Sequence, residues 1–152
     1  MHSITVSTLI PVLQTAIGPV ILISGVGLLL LTMTNRLGRA IDKARTLADS
    51  LPHTPEAAQP TIREQLRIFW RRARLLRLAI ILAALSALFA AILIIIIFLT
   101  ALANLEAGWV LTITFVLSMT CLIASLVVFI HDTNQSLAAL KAELKLDAAL
   151  DP

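Results

Sequence analysis

Basic residues are missing from most of this chain. The first 35 residues contain no Lys or Arg, and neither does the stretch from Leu78 to Leu140. Of the twelve Lys and Arg residues, ten lie between Arg36 and Arg77 and the others are Lys141 and Lys145. Charge of either sign is scarce. Only 14% of the 152 residues are charged, against about a quarter in a soluble domain. With 59% apolar residues and a mean hydropathy of +0.95, much of the chain must have lipid as its solvent. The single cysteine, Cys121, excludes an intramolecular disulfide.

Other absences bear on activity. His2, His53 and His131 are far apart in sequence, and a metal site needs clustered ligands, so none is expected. No pair of membrane-depth Asp residues and no Ser with a His at matching depth stands ready for intramembrane proteolysis. No ionisable group sits in mid-span, where proton-coupled transport usually keeps one. Gly25-Val-Gly27 lies inside an apolar helix and precedes no strand, so it is no phosphate loop. Cys121 reads as a small hydrophobe rather than a nucleophile. No catalytic residue, cofactor or metal is expected.

What is present are three apolar runs, about 10–34, 78–102 and 109–130. Each exceeds the roughly 20 helical residues that cross a hydrocarbon core. The first is too long for a signal-peptide core and lacks a positive leader, and Arg36 and Arg39 follow it as a stop. The positive-inside rule then places residues 35–77 and the C-terminus in the cytoplasm, with the N-terminus and the turn Ala103–Gly108 outside. Trp109 stands where an interfacial anchor is expected. Residues 35–77 hold ten basic and four acidic residues, net +6, whereas the tail from His131 is net −2. The expected fold is all-α: one membrane domain spanning 1–152, with a cytoplasmic hairpin over 35–77 and a cytoplasmic C-terminal helix over 132–150.

The segment between the first two spans has helical periodicity. Leu37, Ile41, Ala44, Ala48 and Leu51 share one face, and so do Ile62, Leu66, Phe69, Ala73 and Leu76. Three prolines in Pro52–Pro60 break the helix between them. Thr61 followed by Glu64 matches a capping box and predicts a helix start at Thr61. The two arms, Arg36–Leu51 and Thr61–Arg77, are nearly equal in length. The simplest arrangement is that the membrane helices run on into the cytoplasm and pair as a hairpin. The alternative is an arm lying flat on anionic headgroups. Leu137, Leu140, Leu144 and Ala148 form a matching face on the C-terminal helix.

Helices in lipid pack through small residues and interhelical hydrogen bonds. The candidates for packing are Gly18 and Gly25 on the first span and Ala79, Ala83, Ala87 and Ala91 on the second, widened by Ser86 and Ala90. Pro19 removes the donor for the Thr15 carbonyl. Gln14, Gly18, Gly25, Thr32 and Asn35 share a small or polar face, and Thr114, Ser118, Cys121 and Ser125 share another that reaches Asp132. The bland account of both is helix packing. The sharper one is a polar path, with Gln14, Thr32, Asn35, Thr114, Ser118 and Ser125 as candidates. Arg36, Arg39, Arg63, Arg67, Arg71, Arg72, Arg74 and Arg77 are the candidate contacts for anionic lipid or a protein partner. Asp42 and Asp132, near the span ends, are expected to pair with Arg36, Arg39 or Arg77, because a charge there is costly alone.

The stretch from Ala16 to Leu31, with Pro19 and the run Leu28–Leu31, followed by Thr34-Asn-Arg-Leu-Gly-Arg-Ala-Ile-Asp-Lys-Ala-Arg45, resembles a family of small bacterial membrane proteins known only as a domain of unknown function. Asn35, Arg36, Asp42 and Arg45 occupy the motif positions, and Arg71-Arg-Ala-Arg-Leu-Leu-Arg77 also looks familial. Lys43–Ala44 departs from the pattern, which would put an Arg nearer Asp42. The resemblance covers roughly residues 10–145. It implies a complete three-span protein and brings no activity.

Three functions compete. The first is a non-enzymatic inner-membrane scaffold or accessory subunit whose hairpin contacts a cytoplasmic protein or its own copies. The second is a homo-oligomeric channel or passive pore lined by Gln14, Thr15, Gly18, Thr32 and Asn35, with an arginine-rich vestibule that would favour anions. The third is an enzyme, for which the acid, base or metal is missing. Three helices make a thin protomer, so a homo-oligomer is expected. A nucleic-acid partner is not, because the basic cluster abuts the membrane without a binding fold.

Overall fold

The computed structural model describes the backbone of residues 6–103 and 106–150 and the side chains of residues 10–103 and 106–134. Helix α1 runs Val6–Ser50, α2 runs Gln59–Ala103 and α3 runs Gly108–Leu150. Among the described residues there is no strand. Three of the helical stretches are long and apolar enough to cross a membrane. A helix of 45 residues, such as α1 or α2, is about 67 Å long. That is more than twice the roughly 30 Å of a hydrocarbon core.

The α1–α2 connection is a 3-10 turn, Leu51–His53, followed by the Pro-bearing segment. Thr54 closes it with its backbone N–H on the Leu51 carbonyl (3.4 Å) and its hydroxyl on the Ser50 carbonyl (2.8 Å). The Gln59 amide donates back to the Thr54 carbonyl at 3.3 Å. Here the sequence expectation needs correcting. Helix α2 begins at Gln59, not Thr61, and Thr61 lies exposed within its first turn. Pro60 is the reason: its fixed φ suits a first helical turn, where a missing N–H costs nothing. The first helical bond is then Ile62 N–H to the Ala58 carbonyl, at 3.4 Å. At the other connection Ala107 accepts from Val110 and Leu111 at 3.0 and 3.2 Å, opening α3.

Helix α2 is the middle of the bundle and packs along both neighbours. Its two packed faces follow a strict heptad period. One line, Ile62, Leu66, Phe69, Ala73, Leu76, Ile80, Ala83, Ala87, Ala90, is half-buried or buried throughout. A second, Arg72, Leu75, Ala79, Leu82, Ser86, Phe89, Leu93, is likewise. Alternating steps of three and four residues keep such a line on one side of a supercoiled helix. On α1 the corresponding line is Ala16, Pro19, Ile23, Val26, Leu30, Met33, Leu37, Ala40, Ala44, Leu47 and Leu51. Ala40 and Leu47 therefore face inward, where sequence periodicity put Ile41 and Ala48; both of those are exposed. The expected face of Ile62, Leu66, Phe69, Ala73 and Leu76 is covered as anticipated.

The deepest side chains are small: Ala79, Ala83, Ser86 and Ala90 are fully buried, with Met33 and Val26 the largest apolar groups beside them. Nearly all large exposed apolar residues sit on the three apolar runs, from Ile10 to Leu31, Leu78 to Leu102 and Trp109 to Ile130. That distribution suits lipid and would be unstable in water. Among the described residues only Ile41, Ile68 and Trp70 are exposed large apolar residues outside those runs. The face of Leu137, Leu140, Leu144 and Ala148 lies outside the described side chains.

Candidate functional site

The α2–α3 interface carries a polar rung every seven residues. At the first, the Ser118 hydroxyl donates to the Ser86 carbonyl at 2.9 Å. Ser118 has spent its one proton there, so in the 3.4 Å contact between the two hydroxyls Ser86 is the donor. One heptad on, the Ser125 hydroxyl donates to the Ala79 carbonyl at 2.7 Å. These bonds bring each serine hydroxyl against a neighbouring main chain, an approach that only small residues permit. One heptad further stand Asp132 and Arg72. Residues 118, 125 and 132 ascend as 86, 79 and 72 descend, so the three rungs share one antiparallel register.

The third rung is charged. Asp132 is 0% exposed and Arg72 26%, and Arg72 Nε stands 3.6 Å from Asp132 Oδ1. That distance is an ion-pair contact, longer than a hydrogen bond. Neither Asp132 oxygen accepts a hydrogen bond among the described residues. A buried carboxylate depends on its counter-charge, and removing that partner leaves an uncompensated charge.

Helix α1 joins at the same level. Arg36 Nη1 donates to the Thr133 hydroxyl at 2.6 Å, and Thr133 passes its own proton to the Phe129 carbonyl at 2.9 Å. The Arg36 guanidinium lies 5.3 Å from the Phe129 ring centroid, close enough for cation–π attraction. Lys43 stands 5.8 Å from the Phe69 ring, tying α1 to α2. Arg36, Arg72, Asp132, Thr133 and Phe129 thus clasp all three helices where the apolar runs end.

The expected pairing of Asp132 with Arg36, Arg39 or Arg77 is corrected to Arg72. The heptad register puts Arg72 on the line facing α3, while Arg39 and Arg77 are exposed and Arg36 takes Thr133. Asp42 is exposed and makes no ion pair among the described residues. Of the candidate arginines, Arg36 and Arg72 are half-buried in the clasp, and Arg39, Arg63, Arg67, Arg71, Arg74 and Arg77 are exposed. Sequence reasoning missed Arg72 as the partner, and Thr133 and Phe129 altogether. The signal that finds them is the sevenfold spacing of 118, 125 and 132 set against that of 86, 79 and 72.

Among the candidate packing residues, Ala79 and Ala83 are fully buried and Ala87 and Ala91 half-buried. Gly18 and Gly25 are exposed, and a Cβ added at either would meet nothing within 4 Å. Gly18 borders an apolar hollow with Ala90, Leu93 and Phe115, whereas Gly25 is exposed on the side of α1 away from its buried line. The two polar faces do not come together either. Gln14, Thr32 and Asn35 look outward from α1, whereas Ser118 and Ser125 are buried against α2 and half-buried Thr114 bonds its own helix at Val110. No single path within the chain is lined by both.

Two adjoining hollows, about 270 and 370 Å³, open around Pro19, Leu93 and Phe115 in the half of the bundle away from the clasp. Their lining is almost wholly apolar. Among the described residues no three His, Cys, Asp or Glu side chains gather where they could hold a metal. Buried Ser118 and Ser125 donate to main-chain carbonyls and Ser86 to the Ser118 hydroxyl, none of them to a base. The clasp can therefore lock helices together, and the exposed arginines can attract anions.

No curated protein and no solved structure is significantly similar to the chain. One family model matches residues 16–142, a stretch that takes in all three helices and the clasp. The chain therefore belongs to the family described as Protein of unknown function (DUF2721).

Proposed function

We propose that the protein is a non-enzymatic scaffold or accessory subunit of a bacterial inner membrane, with its N-terminus outside and its hairpin and C-terminal helix in the cytoplasm. One observation carries this reading. The arms of α1 and α2 continue beyond the apolar runs with their apolar line spent on each other, which leaves Arg63, Arg67, Arg71 and Arg74 exposed along one stripe. Arg71, Arg74 and Arg77 stand nearest the apolar run and suit anionic headgroups, at about 1 kcal/mol for each charge. Arg63 and Arg67 stand farther out, beside exposed Ile68 and Trp70. A cationic stripe flanked by apolar side chains suits an acidic cytoplasmic protein surface. The continuity of α1 from Val6 to Ser50 supports an upright hairpin over an arm lying on the membrane.

The channel reading draws on the outward face of Gln14, Thr32 and Asn35, which could line a path between copies. Reconstitution of the full chain into liposomes separates the two. The scaffold gives anion flux no greater than protein-free vesicles. In cells, a photo-crosslinking residue at Ile68 yields a protein adduct that is lost when Arg63 and Arg67 are changed to Glu. Anion flux that falls on Asn35→Ala or Gln14→Ala would overturn the scaffold and establish the pore.

A further inference from the structure

The outward side of α1 holds a second seam. Two residues advance a helix by about 200°, so a line offset by two from the buried one lies opposite it. That line is Pro11, Gln14, Gly18, Ile21, Gly25, Leu28, Thr32, Asn35, Arg39 and Asp42, in alternating steps of three and four, and every member is exposed. Ile21 and Leu28 are 66% and 70% exposed, the most open large apolar side chains on α1. They alternate with Gly18 and Gly25, above which the protomer leaves empty space. Glycine weakens a helix interior; Gly18 borders the apolar hollow beside Ala90 and Phe115, but the chain's own packing does not call for glycine at Gly25. Knobs at 21 and 28 beside holes at 18 and 25 are what a helix partner of the same sequence would fill.

The polar groups on this line are distinctive. Elsewhere on α1 the hydroxyls of Thr15, Ser24 and Thr34, and on the line itself that of Thr32, each donate to the carbonyl four residues back, at 2.7–3.2 Å. The carboxamides of Gln14 and Asn35 make no hydrogen bond among the described residues and stand at the two ends of the apolar run. A carboxamide is both donor and acceptor, so it pairs with a copy of itself. Arg39 and Asp42, one step apart on the line, form no ion pair within the chain among the described residues. In a parallel pair, Arg39 of each copy lies beside Asp42 of the other, so the charges match twice by symmetry. Beyond Asp42 the line reaches Asp49, which would meet its own copy with no Lys or Arg one step away on the line to offset it, so the contact ends before the turn.

We infer that α1 is a homodimer seam: two copies, inserted in the same direction, pair through this face about a two-fold axis along the membrane normal. The inference rests on the membrane reading proposed above and on no particular activity. It gives the two exposed glycines, the two end carboxamides and the Arg39–Asp42 step one shared occupant.

The test is disulfide trapping in native membranes, in a full-length chain carrying Cys121→Ser. Oxidation of Ile21→Cys and of Leu28→Cys should double the mass on a non-reducing gel. Controls at Ile95→Cys and Ile123→Cys, equally lipid-exposed at 58% and 62%, should remain monomeric. In native mass spectrometry from nanodiscs the parent chain should appear as a dimer and Gly25→Ile as a folded monomer. The empty space above Gly25 lets the new side chain fit the protomer but not the pair. Equal trapping at all four positions, no trapping at any, or a dimer that survives Gly25→Ile would overturn the seam. A ring of four or more copies would overturn it too, in favour of the pore. Release of the chain from membranes by alkaline carbonate would instead remove the membrane reading itself, and is scored separately.

Discussion

Helix α2 meets two neighbours of nearly equal length in two different ways. Against α1 the contact is apolar: Ala16, Val26 and Met33 are the buried side chains of α1 and Leu76, Ala83 and Ala90 lie on the facing line of α2, with Lys43 over Phe69 in the arm. Against α3 it is a ladder, with Ser118, Ser125 and Asp132 each bound across the seam. The difference follows from connection and solvent. A short, internally bonded turn already sets the register of α1 on α2 in the arms. The α2–α3 pair is joined at the opposite end, and its two serine rungs lie within the apolar runs, where burial supplies no drive between helices. There a polar group wrongly matched is left unsatisfied, so a one-residue slip is penalised at three levels at once.

The largest expected effect breaks the ladder at its charged rung. Arg72→Ala strands the Asp132 carboxylate and should cost about 3–5 kcal/mol, read as a lowered unfolding midpoint in mild detergent. The α1 interface should respond to volume instead: Met33→Ala opens a cavity and should cost about 2–3 kcal/mol by the same readout. A smaller loss, about 0.6–1.7 kcal/mol, is expected for Ser125→Ala, within the measured range for interhelical hydrogen bonds in lipid. If Ser125→Ala cost more than Met33→Ala, the contrast between the two interfaces would be reversed. The smallest effect should come from Arg36→Met, which keeps the stem over Phe129 but removes the charge and the bond to Thr133. About 0.5–1 kcal/mol is expected, together with faster backbone hydrogen exchange where α1 meets α3.

Much of this was legible in the sequence, for identifiable reasons. The three helices follow from apolar runs that exclude charge, and the break at 52–60 from its prolines. The arm face of Ile62, Leu66, Phe69, Ala73 and Leu76 could be found because its large residues already fall at heptad spacing. On α1 the arm contained competing choices, Ile41 against Ala40 and Ala48 against Leu47, and size favoured Ile41 while the continuous seam favoured Ala40. Thr61 matched a cap locally, but Pro60 opened the helix two residues earlier. The partner of Asp132 was hidden for another reason. Which arginine it meets depends on the register of α2 against α3, a property of two helices together that no single periodicity contains. Spacing marks Gly18 and Gly25 as packing residues, yet both are exposed in the chain, because one sequence does not say whose helix a small residue serves.

Asp132 and Arg72 act as a pair that locks the α2–α3 register, and a double-mutant cycle of Arg72→Met, Asp132→Leu and both together tests this most directly. The expected result is a coupling of about 2 kcal/mol or more between the two sites, with the double variant more stable than either single one, as when an isosteric apolar pair replaces a buried ion pair. Additive losses, with coupling below about 0.5 kcal/mol, would mean that the two charges stand near one another without holding the helices, and would contradict the account.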